Sequence, residues 1–426
     1  MYRTIFEEIV SITNNDYAGC LDKKGWDNPD SYRNILSALE ERNELVPERF
    51  ADLVSDYLLD FKDSHMYFKL IHSKENKVYD NGFRVRRYRD RLYVTEVWAE
   101  GGFEVGDAII TLDGMQVPHL VGKHKRELMT DVAEREHWRQ VIKNYSICHV
   151  LDTFGRLKEV ELHRYEVQPS KHQFSVKVLD KDTVLITLPD FSDLHAVGKL
   201  IHQHEAQLAA IPNLLIDVRK NSGGSDSAFA ELVPYLFEEG GITIELDSYR
   251  MKYNCTGRNY NLTSQFMNGF LQEVRDERLK QKFSDFMIAF SKNRGNGFVD
   301  MNGELPAITF SGKNYPKNVI VLSDTYTASA GEMFVDLCKM SSKVTVIGRP
   351  TAGVNDYANL VIQEWKGLFE LWYPTSRMDS IDKGNGTSGK GIAPDIYIPW
   401  TPEHTKEDVD LKMALNMLRN GYKVPR

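Results

Sequence analysis

The sequence has few cysteines, no basic excess and no long apolar run. Its four cysteines, Cys20, Cys148, Cys255 and Cys338, are scattered without a CxxC pair, which excludes zinc ribbons and disulfide scaffolds. Lys plus Arg number 53 against 61 Asp plus Glu, so the basic patch typical of nucleic-acid binders is not indicated. No run of about 18 apolar residues occurs, which predicts that no helix spans a membrane.

Repeats, a secretory leader and cofactor motifs are missing as well. Acidic residues interrupt positions 1–11, where a leader needs an apolar run, so we expect a cytoplasmic protein. There is no HExxH, no P-loop and no GxGxxG after a strand, and the histidines are not spaced as a metal set, so we predict neither a cofactor nor a metal. What remains is globular composition, 42% hydrophobic and 27% charged over 426 residues, sufficient for two or three domains.

Helical spacing dominates the first part of the chain. Apolar residues between Phe50 and Leu58 fall on one face of a helix, and Pro47 stands where that helix can begin. We therefore predict an N-terminal helical subdomain over residues 1–78, whose helical part ends at Phe61–His65.

The pattern then changes to the period of a strand. Arg91–Val97 reads as a strand, and Gly106–Gly114 reads as a strand closed by an Asp-Gly turn. This stretch resembles a PDZ domain, but it has no convincing G-L-G-F loop to capture a peptide carboxylate. The resemblance implies a reduced PDZ-like module over residues 79–125. The alternative is a small β-module that merely packs against the catalytic domain.

From Thr183 onward, short apolar runs alternate with helical stretches. The strands predicted from these runs are Val184–Leu188, Leu214–Val218, Val319–Leu322 and Val344–Ile347. Such alternation predicts a buried, largely parallel sheet with its chemistry at the strand ends. The predicted fold class is therefore mixed α/β, with an α/β catalytic domain over residues 126–426 that contains a polar, partly helical insertion at 249–317.

The first candidate for chemistry is Ser329, in the string DTYTASAGEMFV that follows a strand and opens a helix. Small neighbours expose a nucleophile, and the start of a helix offers N–H groups and a positive dipole end to developing negative charge. The alternative is that Thr and Ser cap the helix, while Ala and Gly allow close packing.

A second candidate is the string LIDVRKNSGG, in which a strand runs into Gly223 and Gly224. Glycines expose their N–H groups without a Cβ, so this turn can donate to an oxyanion together with the N–H of Ala330. The alternative is an ordinary turn between a strand and a helix.

Two further motifs follow, TAG at Thr351–Gly353 and GKGIAPDIYIP at Gly389–Pro399. In this order, the four motifs resemble those of the C-terminal processing (tail-specific) peptidases, including their tricorn-like branch, from about Phe50 to Asp410. The resemblance implies a serine peptidase with a ClpP/crotonase-like catalytic domain. It also implies peptide or unfolded protein as the substrate, and a homo-oligomer.

The resemblance also implies how Ser329 is activated. One branch of the family has a lysine base directly after Thr-Ala-Gly, but Val354 stands there. The tricorn-like branch has a histidine preceded by a serine, which Ser64 and His65 match. The resemblance therefore implies His65 as a base that takes the serine proton and returns it to the leaving amine, with Ser64 holding the ring. The alternative for one of 12 histidines is a structural or surface position.

One residue departs from the tricorn-like pattern. A supporting glutamate belongs three residues before the glycine of the last motif, but Ser388 stands there. Asp379 and Asp382, just upstream, are candidate orienting acids, and the alternative is that both are solvated loop acids. Glu332, one helical turn after Ser329, is interpreted as an acid that stabilises the helix dipole.

These residues are compatible with three functions. The leading hypothesis is a serine peptidase that works through an acyl-enzyme. The others are a catalytically inactive peptide- or ligand-binding protein on the same scaffold, and a hydrolase of small esters. Catalysis requires the imidazole of His65 to meet the hydroxyl of Ser329, far downstream in the chain.

Overall fold

The computed structural model describes residues 1–71, 79–166, 173–245, 249–273, 277–301 and 307–421. Within those residues the α-helices are α1 Tyr2–Asn15, α2 Pro29–Glu41, α3 Pro47–Leu58, α4 Val117–Lys123, α5 Trp138–Ile142, α6 Ala196–Gln203, α7 Glu205–Leu208, α8 Val233–Leu236, α9 Gly257–Glu273, α10 Glu277–Lys292, α11 Ala330–Lys339 and α12 Val409–Arg419. None of these described helices combines the length and apolar character that crossing a membrane requires.

The strands in the same residues are β1 Tyr67–Leu70, β2 Tyr79–Asp80, β3 Phe83–Tyr88, β4 Arg91–Val97, β5 Ala108–Leu112, β6 Met115–Gln116, β7 Ile147–Leu151, β8 Leu157–Glu161, β9 Tyr165–Glu166, β10 Ser175–Asp180, β11 Thr183–Thr187, β12 Asn213–Asp217, β13 Gly240–Ile244, β14 Met251–Asn254, β15 Phe298–Asp300, β16 Ile308–Gly312, β17 Asn318–Ser323, β18 Val344–Gly348, β19 Tyr357–Trp365, β20 Phe369–Met378 and β21 Ile396–Tyr397.

The chain forms two compact units, each assembled from three separate segments. Unit 1 comprises Met1–Asn76, Thr243–Ile308 and Val354–Ser388. Unit 2 comprises Lys77–Ile242, Thr309–Gly353 and Gly389–Arg426. The predicted division into 1–78, 79–125 and 126–426 stays a prediction, and its boundary after residue 78 lies outside the described residues. Parts of the predicted insertion at 249–317 also lie outside them.

Unit 1 packs its N-terminal helices against an antiparallel sheet. Helix α3 begins at Pro47 because proline is favoured at the first helical position. Its apolar face joins a core cluster with side chains of α1, β1 and β20. Strand β20 pairs with β19 along most of its length, and with β1 and β14 at its two ends. The loop that carries His65 therefore lies directly before a strand of this sheet.

Unit 2 contains the predicted largely parallel sheet, with strand order β10-β11-β12-β17-β18-β21. Only the edge strand β10 pairs antiparallel, and the other neighbours are parallel. The inner strands are buried, which explains why they read as continuous apolar runs. Helix α12 packs against this sheet through Ala414 and Met417. The mixed α/β fold class is therefore confirmed.

A second, antiparallel sheet in unit 2 has the order β3-β4-β5-β7-β8, with β6 paired to β5. Strand β4 has the predicted bounds. Asp113 and Gly114 form the predicted turn, with φ of 43° and 78°. The sheet continues to Glu161, beyond residue 125 where the predicted PDZ-like module ends, so the bounds of that module stay a prediction.

Candidate active site

Ser329 lies at the junction between strand β17 and helix α11. Its backbone has φ 52° and ψ −122°, a region that non-glycine residues rarely adopt and that concentrates at functional sites. A capping serine accepts a hydrogen bond from the first turn of its helix, but the side chain of Ser329 makes no such bond. Ser329 therefore stands at the N-cap of helix α11 without capping it through its hydroxyl. Its strained turn between strand and helix is typical of an exposed nucleophile.

Hydrogen bonds to the end of strand β12 hold the turn before Ser329. The buried hydroxyl of Thr327 donates to the carbonyl oxygen of Val218 over 2.8 Å. The N–H of Ala328 donates to the carbonyl oxygen of Asn221, also over 2.8 Å. Neighbouring parallel strands thus bring the two predicted motifs to the same edge of the sheet.

Gly223 lies in direct proximity to the candidate nucleophile, and Gly224 follows it next to Phe191. Their φ values of 94° and 139° favour glycine. A Cβ on Gly223 would lie 2.6 Å from the Cβ of Ser329 and 3.2 Å from the nitrogen of Ala330. The N–H of Gly223 donates to Asn221 Oδ1 over 3.0 Å. Within the described ranges, no residue accepts a hydrogen bond from the N–H of Gly224 or Ala330.

Glu332 joins helix α11 to the TAG motif. Its side chain is fully buried, and its Oε1 accepts hydrogen bonds from Thr351 Oγ1 at 2.5 Å and from the N–H of Gly353 at 2.6 Å. Arg135 holds the same segment from another direction, since it donates to the carbonyl oxygens of Thr351 and Ala352 over 2.8 Å each. The sequence assigns Glu332 only to the helix dipole and gives no signal for Arg135.

Asp324, the first residue after strand β17, lies in a buried ionic network of unit 2. It accepts hydrogen bonds from Arg86 at 3.1 and 3.0 Å and from Arg349 at 2.9 Å. Burial raises the pKa of Asp324, but these two guanidinium groups outweigh burial and hold the pKa well below its ordinary value. Asp324, at the start of the turn that leads to Ser329, is thus ionised, and its charge is paired with both guanidinium groups.

His65 lies in unit 1, in a turn that its neighbours shape. The N–H of His65 donates to Asp63 Oδ1 over 2.9 Å. The ring nitrogen Nδ1 lies 2.7 Å from the carbonyl oxygen of Tyr357. A carbonyl oxygen can only accept, so Nδ1 carries the proton in this contact, and in the neutral ring the lone pair is then on Nε2. This is the tautomer that a general base requires.

No hydrogen bond to the His65 ring is described for the other predicted site residues, Ser64, Asp379 and Asp382. Ser64 is exposed, and no described residue is bonded to its hydroxyl. Asp382 accepts hydrogen bonds from Arg377 and Lys252, which lower its pKa to about 2. Asp379 pairs with Lys252 at 3.1 Å. Ser388, which stands where the family pattern has a glutamate, donates its backbone N–H to Asp356 Oδ2 over 2.9 Å.

The structure thus brings together Ser329, Ala330 and Gly223 in unit 2, with Gly224 next along the chain. His65, Ser64, Asp379 and Asp382 belong to unit 1. The meeting of His65 with Ser329 joins residues of two units and stays a prediction.

The family of the chain follows from comparison with known proteins. A model of peptidase family S41 matches residues 182–398, just over half of the 426 residues. The chain belongs to this family. The matched segment contains the Gly-Gly turn, the Ser329 turn and the TAG motif, and the predicted resemblance to C-terminal processing peptidases is confirmed.

Similarity to solved structures extends over the whole chain. Mature CPAF in complex with lactacystin matches with a TM-score of 0.63 and 14% identity, over 99% of this chain and 99% of that chain. A mutant of CPAF matches with a TM-score of 0.65 and 12% identity, over 100% of this chain and 98% of that chain. At these identities the likeness shows the fold, which both units share with CPAF.

Proposed function

We propose that the chain is an active serine peptidase in which Ser329 is the nucleophile and His65 the general base. The observation that carries this proposal is the backbone of Ser329, at φ 52° and ψ −122°, in a turn between strand and helix. Strain of this kind is retained where it exposes a reacting group. Two N–H groups without described acceptors, on Gly224 and Ala330, add the donors that an oxyanion needs.

In the proposed reaction, Ser329 Oγ attacks the carbonyl carbon of a peptide bond while its proton passes to His65 Nε2. The N–H groups of Gly224 and Ala330 donate to the oxyanion of the tetrahedral intermediate, because the N–H of Gly223 is already bonded to Asn221. The C–N bond then breaks, and Nε2–H protonates the leaving amine. Water repeats the same steps on the acyl-enzyme and releases the acid.

The carbonyl oxygen of Tyr357 takes the place that the family resemblance gives to a glutamate. It accepts from His65 Nδ1–H and so fixes the ring and its tautomer, as a carboxylate does. A neutral carbonyl stabilises the imidazolium less than a carboxylate does, because it carries a dipole instead of a full charge. We therefore expect the pair to be competent but less activated than one supported by an acid.

The direct test is labelling with a fluorophosphonate probe, together with cleavage of peptides. Ser329→Ala should abolish labelling, and Ser329→Ala and His65→Ala should each slow peptide turnover by roughly a thousandfold or more. The matched controls are Ser291→Ala and His163→Ala, at exposed positions, which should behave as wild type. Equal hydrolysis by wild type, Ser329→Ala and His65→Ala would refute the proposal.

The neutral support of His65 favours one alternative, a hydrolase of small esters, since an alkoxide leaves with less proton donation than an amine. Comparison of ester and peptide turnover by the wild-type chain separates the two. Tight binding of an intact peptide, with no acyl-enzyme in the mass spectrum, is the outcome expected for a binding protein on the same scaffold.

A further inference from the structure

A buried lysine in unit 1 touches both groups that hold His65. Lys23 is 5% exposed, and within the described residues its Nζ has no hydrogen-bond partner. Nζ lies 3.9 Å from Asp63 Oδ2 and 4.4 Å from the ring centroid of Tyr357. Burying an ammonium group without hydrogen bonds costs stability, so this position needs a physical account.

Carboxylates and an aromatic ring near Lys23 stabilise its positive charge. Burial lowers the pKa of Lys23, while the nearby carboxylates of Asp63, Asp356 and Asp22 oppose that effect. The Tyr357 ring lies within the range of a cation–π contact. The cation is therefore attracted both to a carboxylate and to an aromatic face, and it draws the two toward each other.

Those two neighbours are the supports of His65. Asp63 accepts the hydroxyl of Tyr17 at 2.6 Å on Oδ2 and the backbone N–H of His65 at 2.9 Å on Oδ1. Tyr357 is 4% exposed, and its carbonyl oxygen lies 2.7 Å from His65 Nδ1. One support fixes the backbone of His65 and the other fixes its ring. Lys23 is in contact with both.

We propose that Lys23 is a positioning residue of His65: its cation fixes Asp63 and Tyr357 relative to each other and thereby keeps the imidazole oriented with Nδ1 protonated. Lys23 touches no reacting atom in this role. The consequence for catalysis rests on the proposed function. The consequence for the ring does not, because it concerns the tautomer of His65 alone.

The test compares Lys23→Met, which removes the charge at similar volume, with Lys23→Arg, which keeps it. The neighbouring Lys24 is exposed, so Lys24→Met is the matched control. Nitrogen-15 NMR of histidine-labelled protein, assigned with His65→Gln, reports the tautomer of His65. Steady-state kinetics and fluorophosphonate labelling report reactivity, and thermal unfolding confirms that each variant is folded.

Wild type and Lys24→Met should give the signature of a ring with Nδ1–H, whereas Lys23→Met should give mixed tautomers. We expect Lys23→Met to lower kcat and the labelling rate by roughly ten- to a hundredfold with KM unchanged, which is the size of effect known for residues that orient a metal-bound histidine. Lys23→Arg should restore most of the loss. A purely structural cation would change the unfolding temperature but leave the tautomer and kcat unaltered.

Two outcomes separate this inference from the proposed function. An unchanged His65 tautomer in folded Lys23→Met refutes the positioning role, whatever the activity. Mixed tautomers in Lys23→Met, with a wild-type chain that neither labels nor cleaves, support the positioning role and refute the proposed function. If Lys23→Met does not fold, Lys23→Gln serves instead, because it removes the same charge but keeps a polar end beside Asp63.

Discussion

Gly223 and Ser329 approach each other so closely that the turn leaves no room for a side chain. A Cβ on Gly223 would also lie 2.9 Å from the carbonyl oxygen of Ala328. The φ of 94° at Gly223 strains any other residue. The shape of this part of the candidate site therefore depends on the absence of one methyl group.

We expect Gly223→Ala to reduce fluorophosphonate labelling by at least roughly a hundredfold, because the added methyl group collides with Ser329 and displaces the N–H of Ala330. Loss of one oxyanion donor already costs about that much. The added methyl group and the strained φ should also lower the free energy of unfolding by roughly 1–3 kcal/mol. Stopped labelling reactions and urea unfolding measure the two effects.

The matched control is Gly122→Ala in helix α4, where a Cβ meets nothing within 4 Å. It should leave labelling unchanged and stabilise by about 0.5–1 kcal/mol, because alanine is the better helix former. Wild-type labelling by Gly223→Ala would contradict the assignment of this turn to the oxyanion site.

Some site residues can be predicted from the sequence and others cannot. Ser329, Gly223 and Gly224 have a signature because nucleophiles and oxyanion turns need small residues at fixed offsets. The carbonyl of Tyr357 has none, because every residue carries a backbone carbonyl. Lys23 stands in the string CLDKKGW beside the exposed Lys24, and only the fold makes one of the two buried.

At the scale of elements, hydrogen bonds to the Glu332 carboxylate connect helix α11 with the TAG segment. Glu332 is fully buried, and its Oε1 accepts from both Thr351 and Gly353. Helix α11 begins directly after Ser329, so the bond also fixes where the strained turn ends. The TAG segment is thus tied to the helix that begins after the candidate nucleophile.

We expect Glu332→Ala to lower the free energy of unfolding by about 2–4 kcal/mol, since it leaves a buried hydroxyl and a buried N–H without their acceptor. Urea unfolding measures this loss. Glu403→Ala removes an exposed pair with Lys406 and should change stability by less than about 0.5–1 kcal/mol. Equal effects of the two substitutions would show that the Glu332 bonds contribute little.

The elements that the sequence predicts are those in which buried residues recur at the regular spacing of a helix or a strand. Helix α3 begins at the predicted Pro47 and strand β4 has the predicted bounds, because one face of the helix and alternate residues of the strand are buried. The long strands β19 and β20 escape prediction, because they are held by pairing with each other and with β1, far away in sequence. The insertion has no readable role from the sequence, yet it provides β14 and β15 of the same sheet.

At the scale of the whole molecule, a network of buried ion pairs connects separate elements of unit 2. Arg349 is 1% exposed and bridges Asp324, at the end of strand β17, to Asp410 in helix α12. Burial raises the pKa of Asp410, but hydrogen bonds from His404 and Arg349 and the charges of Arg349 and Arg219 outweigh burial and hold the pKa well below its ordinary value. Two buried carboxylates thus remain ionised in the folded chain.

This network predicts how stability depends on pH. A carboxylate whose folded pKa lies below its unfolded value of about 3.9 contributes stability above that pH, and the contribution is lost as the pH falls. The free energy of unfolding should therefore fall as the pH drops from about 5 toward 3. Denaturant titrations over this range measure the slope.

Asp410→Asn tests the source of that slope. At pH 7 the variant should be less stable than wild type by about 3–5 kcal/mol, because Arg349 loses a buried partner. The difference should narrow toward pH 3, because protonation of Asp410 in the unfolded wild-type chain reduces the stability that its folded charge contributes. Parallel curves for the two proteins would assign the acid sensitivity to other groups.

The contact between His65 and Tyr357 spans 292 positions of the chain. During translation, the segments that carry the candidate nucleophile and its glycine turn leave the ribosome before the carbonyl that orients the imidazole. A nascent chain that ends ahead of strand β19 contains Ser329 and His65 but lacks the carbonyl that orients the His65 ring. On the proposed function, we expect such a chain to be inactive until residue 357 has been synthesised.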